Sequence, residues 1–104
     1  MTRGIWAGTT QVPASDGATF EVTDPATGEV IDTVADATVA DALTALDRAV
    51  TAGEAWSRVA PQARADLLTR VFDLVNERAD EFARTMTREM GKPLAEARGE
   101  VTYG

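Results

Sequence analysis

From residue 38 to the end of the chain, apolar side chains recur at helical spacing in four successive runs, a pattern that restricts this stretch to helices laid against other protein. Thr38, followed three residues later by Asp41, resembles a capping box. Val39, Leu43, Leu46 and Val50 then fall at i, i+4, i+7 and i+11, which predicts an amphipathic helix ending near Gly53. Pro61 suits the first position of a second helix, because its missing N–H has no partner there anyway. Leu67, Leu68, Val71, Phe72 and Val75 give that helix an apolar face, with charged residues on much of the rest, and it is expected to run to about Asn76 or Arg78. Asp80 can cap a third helix carrying Phe82, Met86 and Met90. Gly91 is placed to close that helix in a left-handed conformation, leaving Lys92 near the negative end of its dipole. Pro93 can open a fourth helix with Leu94, Ala97 and Val101 on one side.

Ahead of the helices lie two short segments rich in β-branched residues, Phe20 to Asp24 and Glu29 to Val34, separated by Pro25-Ala26-Thr27-Gly28. Asp24 can bond back to the turn backbone, Pro25 presets φ and Gly28 accepts positive φ, so the segment predicts a hairpin closed by a glycine turn. Residues 5 to 19 are mixed and punctuated by Gly8, Pro13 and Gly17, which reads as loop or short edge strands.

These elements do not add up to a self-contained domain. A chain of 104 residues can bury roughly 65% of its unfolded surface, enough for one modest core. A lone two-stranded hairpin is marginal in water, and no third strong strand appears to extend it. The fourth apolar stripe is still running when Gly104 arrives. The expectation is an α/β fragment, an N-terminal β-hairpin followed by three to four amphipathic helices, incomplete at its C-terminus.

Composition then narrows the chemistry. The chain has no Cys and no His, so it holds no thiolate nucleophile, no disulfide, no Cys-based metal site and no imidazole base. Zero cysteines suit a reducing cytoplasm, which is the expected location. The formal charge is −7 without a basic stripe, so neither nucleic acid nor a membrane surface is expected as partner. Gly91-Lys92 fails as a phosphate loop, because Met86 and Pro93 stand where Gly and Ser or Thr are required. Glu96 and Glu100, four apart on one helical face, could share a proton or hold a hard cation, but no further ligands converge by spacing and a solvated face is the plainer reading. Trp56 and Phe72 read as core rather than as a ligand platform, and Met86 and Met90 as pliable core filler. No residue is assigned a catalytic, cofactor-binding or metal-ligating role.

The stretch Asp24-Pro25-Ala26-Thr27-Gly28-Glu29-Val30-Ile31 resembles the hairpin near the start of aldehyde dehydrogenases. Ala55-Trp56-Ser57, Arg64-Ala65 with Leu67-Leu68, then Glu89-Met90-Gly91-Lys92-Pro93-Leu94-Ala95-Glu96-Ala97 and Glu100-Val101 resemble the next landmarks of that superfamily, in its order. In detail the sequence is most similar to bacterial NAD(P)-dependent succinate-semialdehyde dehydrogenases. The resemblance implies the start of a cofactor-binding domain, with residues 1–19 as loop or edge strands, 20–35 as hairpin and 38–104 as helices. It implies that the nucleophilic cysteine, the general-base glutamate, the oxyanion asparagine and the cofactor contacts all lie beyond Gly104. It further implies NAD or NADP as cofactor and a small aldehyde as substrate of the intact protein, a homo-oligomer at full length, and none of these functions in the isolated chain. There the partner would be the rest of the enzyme or a second copy. Tyr103 would approach the substrate tunnel or simply pack.

Two other readings stand beside this one: a free-standing helical interaction or assembly module derived from the family, and a small metal enzyme built on Glu96 and Glu100.

Overall fold

The computed structural model describes residues 2–104 and divides the chain into two compact units, Met1–Val22 with Asp32–Val59 and Thr23–Ile31 with Ala60–Gly104. The element order is β1 (Ile5–Ala7), β2 (Thr10–Val12), β3 (Thr19–Thr23), β4 (Val30–Ala35), α1 (Val39–Trp56), α2 (Pro61–Glu77), α3 (Ala79–Met90) and α4 (Leu94–Tyr103). The expected strand region followed by four helices is therefore present.

In the first unit, β1 and β2 pair antiparallel with Ile5 opposite Val12 and Ala7 opposite Thr10, resolving the mixed N-terminal stretch into a small hairpin. Arg3 adds a parallel bridge to Val34, with its N–H donating to the Thr33 carbonyl at 2.8 Å and its carbonyl accepting from Ala35 at 2.8 Å. The Arg3 guanidinium also ion-pairs with Asp32. That pairing and the Thr33 N–H hold the Asp32 carboxyl below its usual range. α1 opens with the expected capping box: Thr38 Oγ1 accepts the Asp41 N–H at 3.2 Å while the Asp41 carboxylate accepts the Thr38 N–H at 2.9 Å. The helix runs past Gly53 to Trp56, three residues beyond the expected end. A helical glycine costs only about 1 kcal/mol relative to alanine, which does not stop a helix that has apolar residues beyond it.

In the second unit, the tip of the β3–β4 hairpin is shaped locally. The Asp24 carboxylate accepts the Ala26 N–H at 2.8 Å, the Asp24 carbonyl accepts the Gly28 N–H at 2.7 Å, and Gly28 takes φ of 76°. α2 starts at Pro61 as expected. Asp80, read as the cap of α3, lies instead inside its first turn, and Arg78 occupies the N-cap with its guanidinium bonded to the Glu81 carboxylate and no side-chain capping bond. Asp80 is drawn into ion pairs with Arg84 and Arg98, so its carboxylate is not free to cap. Pro93 is the N-cap of α4 rather than its first residue. Gly91 closes α3 at φ 74° as expected, and a Cβ there would stand 3.1 Å from Pro25 Cγ at the hairpin tip.

α3 and α4 meet through small residues: Ala83 and Ala97 are fully buried, and with Ala14 in the first unit they are the buried apolar residues among those described. No large side chain among the described residues is fully enclosed. No helix among the described residues is long and apolar enough to cross a membrane.

Candidate functional site

α1 sits in its unit the opposite way round from an ordinary amphipathic helix. The side it turns toward the β1–β2 hairpin carries Asp41, Thr44, Ala45 and Arg48, which share a small cavity with Ile5, Ala7 and Val12. Arg48 Nη1 donates to the Ala7 carbonyl at 3.3 Å. Asp41 Oδ2 accepts the backbone N–H of Ser15 at 3.1 Å, and Ser15 Oγ lies 3.2 Å from Thr38 Oγ1. These bonds, led by those from the Ser15 and Thr38 N–H groups, lower the Asp41 carboxyl to about 2. The Leu/Val stripe points the other way. Val39, Leu43, Leu46 and Val50 are 78%, 57%, 57% and 56% exposed, and next to them Ala49, Ala52, Gly53 and Trp56 form an open, almost wholly apolar surface. Each Leu or Val left in water forgoes about 1.5–3 kcal/mol available from burial, so this is the costly surface of the unit.

The second unit has its own apolar opening. A groove of about 410 Å³ between α2 and the end of α4 is lined chiefly by Leu68, Val71, Phe72, Val75, Val101 and Tyr103. Phe72 is 67% exposed and Tyr103 96%. Charged groups of this unit fasten α3 to α4. Arg98 Nη2 donates to Asp80 Oδ1 at 2.7 Å and Arg84 Nε to Asp80 Oδ2 at 2.6 Å, which together hold the Asp80 carboxyl below its usual range. Lys92 ion-pairs with Glu100.

The residues singled out in the sequence fall as follows. Glu100 is taken by Lys92, and no group of three or more His, Cys, Asp or Glu that could hold a metal occurs among the described residues. Gly91 is a helix C-cap, as the phosphate-loop test concluded. Trp56 and Phe72, read as core, are exposed, as is Met90, while Met86 is half-buried; the chain supplies them no cover. The long-range bonds Ser15–Asp41, Asp80–Arg98 and Arg3–Asp32 were not anticipated, and nothing in local spacing signals them.

These capped and ion-paired elements leave apolar stripes uncovered. Residues 12–104 match the aldehyde dehydrogenase family. The chain belongs to that family. A succinate-semialdehyde dehydrogenase of Paenarthrobacter nicotinovorans is 58% identical over 72 residues, covering 69% of this chain and 16% of that protein. A glutarate-semialdehyde dehydrogenase of Pseudomonas aeruginosa is 46% identical over 100 residues, 96% of this chain and 20% of that protein. Among solved structures, succinate-semialdehyde dehydrogenase from Burkholderia pseudomallei matches with a TM-score of 0.92 at 42% identity, over 97% of this chain and 21% of that one. The chain thus spans about a fifth of the length of these relatives, and it matches their N-terminal segment.

Proposed function

We propose that this chain is the N-terminal part of the cofactor-binding domain of an NAD(P)-dependent aldehyde dehydrogenase, which oxidises a short semialdehyde, succinate semialdehyde in the first instance, to the carboxylic acid. The single observation that carries this reading is the family match over residues 12–104 within relatives about five times longer, two of them named for semialdehydes of this class. The role of the segment is to supply a hairpin and helices. The apolar groove between α2 and α4 takes further parts of the same protein, and the ion pairs from Asp80 and Lys92 keep α3 and α4 in position to present it.

The chemistry belongs to residues outside this chain. Covalent catalysis on an aldehyde needs a nucleophile, and a chain without Cys lacks the thiolate that the family resemblance implies. The nicotinamide cofactor, when bound, accepts the hydride. The residues present do not fit its phosphates: Gly91 and Lys92 lie at the C-terminal end of α3, where carbonyl groups and the negative end of the dipole oppose an anion. We therefore assign no step and no cofactor contact to residues 1–104. The full-length protein is cytoplasmic and a homo-oligomer in this reading.

The test is NAD(P)H formation with succinate semialdehyde. The 104-residue chain yields none, and a protein continued in the same reading frame to the length of the relatives yields turnover. Turnover by the short chain, or its absence from the long protein with every short semialdehyde, overturns the reading.

A further inference from the structure

Asp16 is followed by Gly17, and no other aspartate in the chain precedes a glycine. The backbone nitrogen one residue beyond an aspartate can close a five-membered ring onto the side-chain carboxyl, and a glycine there puts no Cβ in the way. The other settings are poorer: Asp24 precedes Pro25, which has no N–H to lose, and Asp32 precedes the β-branched Thr33.

The turn between β2 and β3 holds the two reacting groups of Asp16 and Gly17 apart. The Gly17 N–H donates to the carbonyl of the buried Ala14 at 2.9 Å, and Gly17 takes φ of 75°. Asp16 Oδ1 accepts the Ala18 N–H at 2.9 Å, so the carboxylate is drawn past Gly17 to the residue after it. A Cβ on Gly17 would meet nothing within 4 Å, which leaves room for a ring once these two bonds open. We propose that Asp16–Gly17 is a self-modification site of this chain, where the backbone isomerises through a cyclic imide to isoaspartate at a rate gated by the turn.

In the first step the Gly17 nitrogen bonds to Asp16 Cγ, and one carboxyl oxygen leaves as water with the N–H proton and the carboxyl proton. Water then adds to an imide carbonyl. Opening at the Asp16 backbone carbonyl breaks its bond to Gly17, so the main chain runs through Cγ and the former backbone carbonyl becomes the free carboxylate. One water leaves and one returns, and the reaction draws on no cofactor and on nothing in the enzyme chemistry proposed above. The lengthened backbone does not keep the turn. The Ser15 N–H, which donates to Asp41 Oδ2 at 3.1 Å, and the Ala18 carbonyl, which accepts from the Asp36 N–H at 2.9 Å, flank the altered bond, so the tie from this loop to the start of α1 is lost with it.

The test incubates the purified 104-residue chain at neutral pH, both native and unfolded in urea, with isoaspartate labelled by an isoaspartyl methyltransferase and placed by peptide mapping. Label at Asp16 is expected in both, accumulating roughly tenfold slower in the native chain because a hydrogen-bonded turn must open first. Asp16→Glu, whose ring would need one more member, abolishes it, and the melting temperature of the native chain falls as the labelled fraction rises. The proposal is overturned by a native chain without label at Asp16, by label mainly at another aspartate, by equal rates in the two states, by label that survives Asp16→Glu, or by melting that is unchanged at high conversion.

Discussion

Ser15 and Asp41, 26 residues apart in sequence, are joined by a bond from the Ser15 backbone N–H to Asp41 Oδ2 at 3.1 Å. The same carboxylate closes the capping box of α1, so one ionised group fastens both the helix start and the loop that precedes β3. Its carboxyl is lowered from 3.8 to about 2, chiefly by these N–H bonds. A lowered acid contributes stability that is complete above its unfolded value and disappears as pH falls through its folded value. Asp41→Asn should therefore melt below the native protein at neutral pH, and the gap should close as the pH is taken down toward 2. Thermal melts followed by circular dichroism across that range test this. Thr38→Ala, which removes the other half of the box, is expected to cost about 1 kcal/mol.

Gly91→Ala and Gly28→Ala separate two costs. Both glycines have φ near 75°, but a Cβ on Gly28 meets nothing within 4 Å, whereas one on Gly91 meets Pro25 Cγ at 3.1 Å. Gly28→Ala should lose roughly 1–2 kcal/mol for the left-handed backbone alone. Gly91→Ala should lose more, because the hairpin tip must also move. Urea denaturation of the two variants side by side gives the difference.

At the α3–α4 contact, Ala83 and Ala97 are completely buried. Enlarging either one, as in Ala83→Leu or Ala97→Leu, should destabilise the second unit by about 1–3 kcal/mol through overpacking. Amide hydrogen exchange localised to α3 and α4 would show the loss there and not in α1.

Phe72→Gln should do the reverse of what the same change does in an ordinary core. With the ring 67% exposed on the α2 groove, the substitution should alter stability by no more than about 0.5 kcal/mol while reducing the binding of a hydrophobic dye. A large loss of stability would show that the groove is closed by the chain itself.

What the sequence made legible was local. The Thr38–Asp41 box, Pro61 at the start of α2, the Asp24 to Gly28 turn and Gly91 as a cap each depend on residues within a few positions of one another, and each is found where spacing put it. Gly53 misled because a glycine is a weak stop when tertiary or partner contacts continue beyond it. Asp80 misled because Arg98, 18 residues on, competes for the same carboxylate. Trp56 and Phe72 were expected in a core because apolar spacing reports which face wants cover, not whether the chain provides it. The bonds from Ser15, Arg3 and Arg98 depend on folding that brings distant residues together and left no trace in the pattern.

The tip of the β3–β4 hairpin has one more consequence. Its backbone and side-chain bonds run Asp24 to Ala26, Asp24 to Gly28, Asp24 to Glu29 and Thr27 to Glu29, all inside six consecutive residues. A bend whose bonds lie entirely within its own letters carries its corner with it, so on a scaffold that covers the flanking strands the chain should turn at the same place.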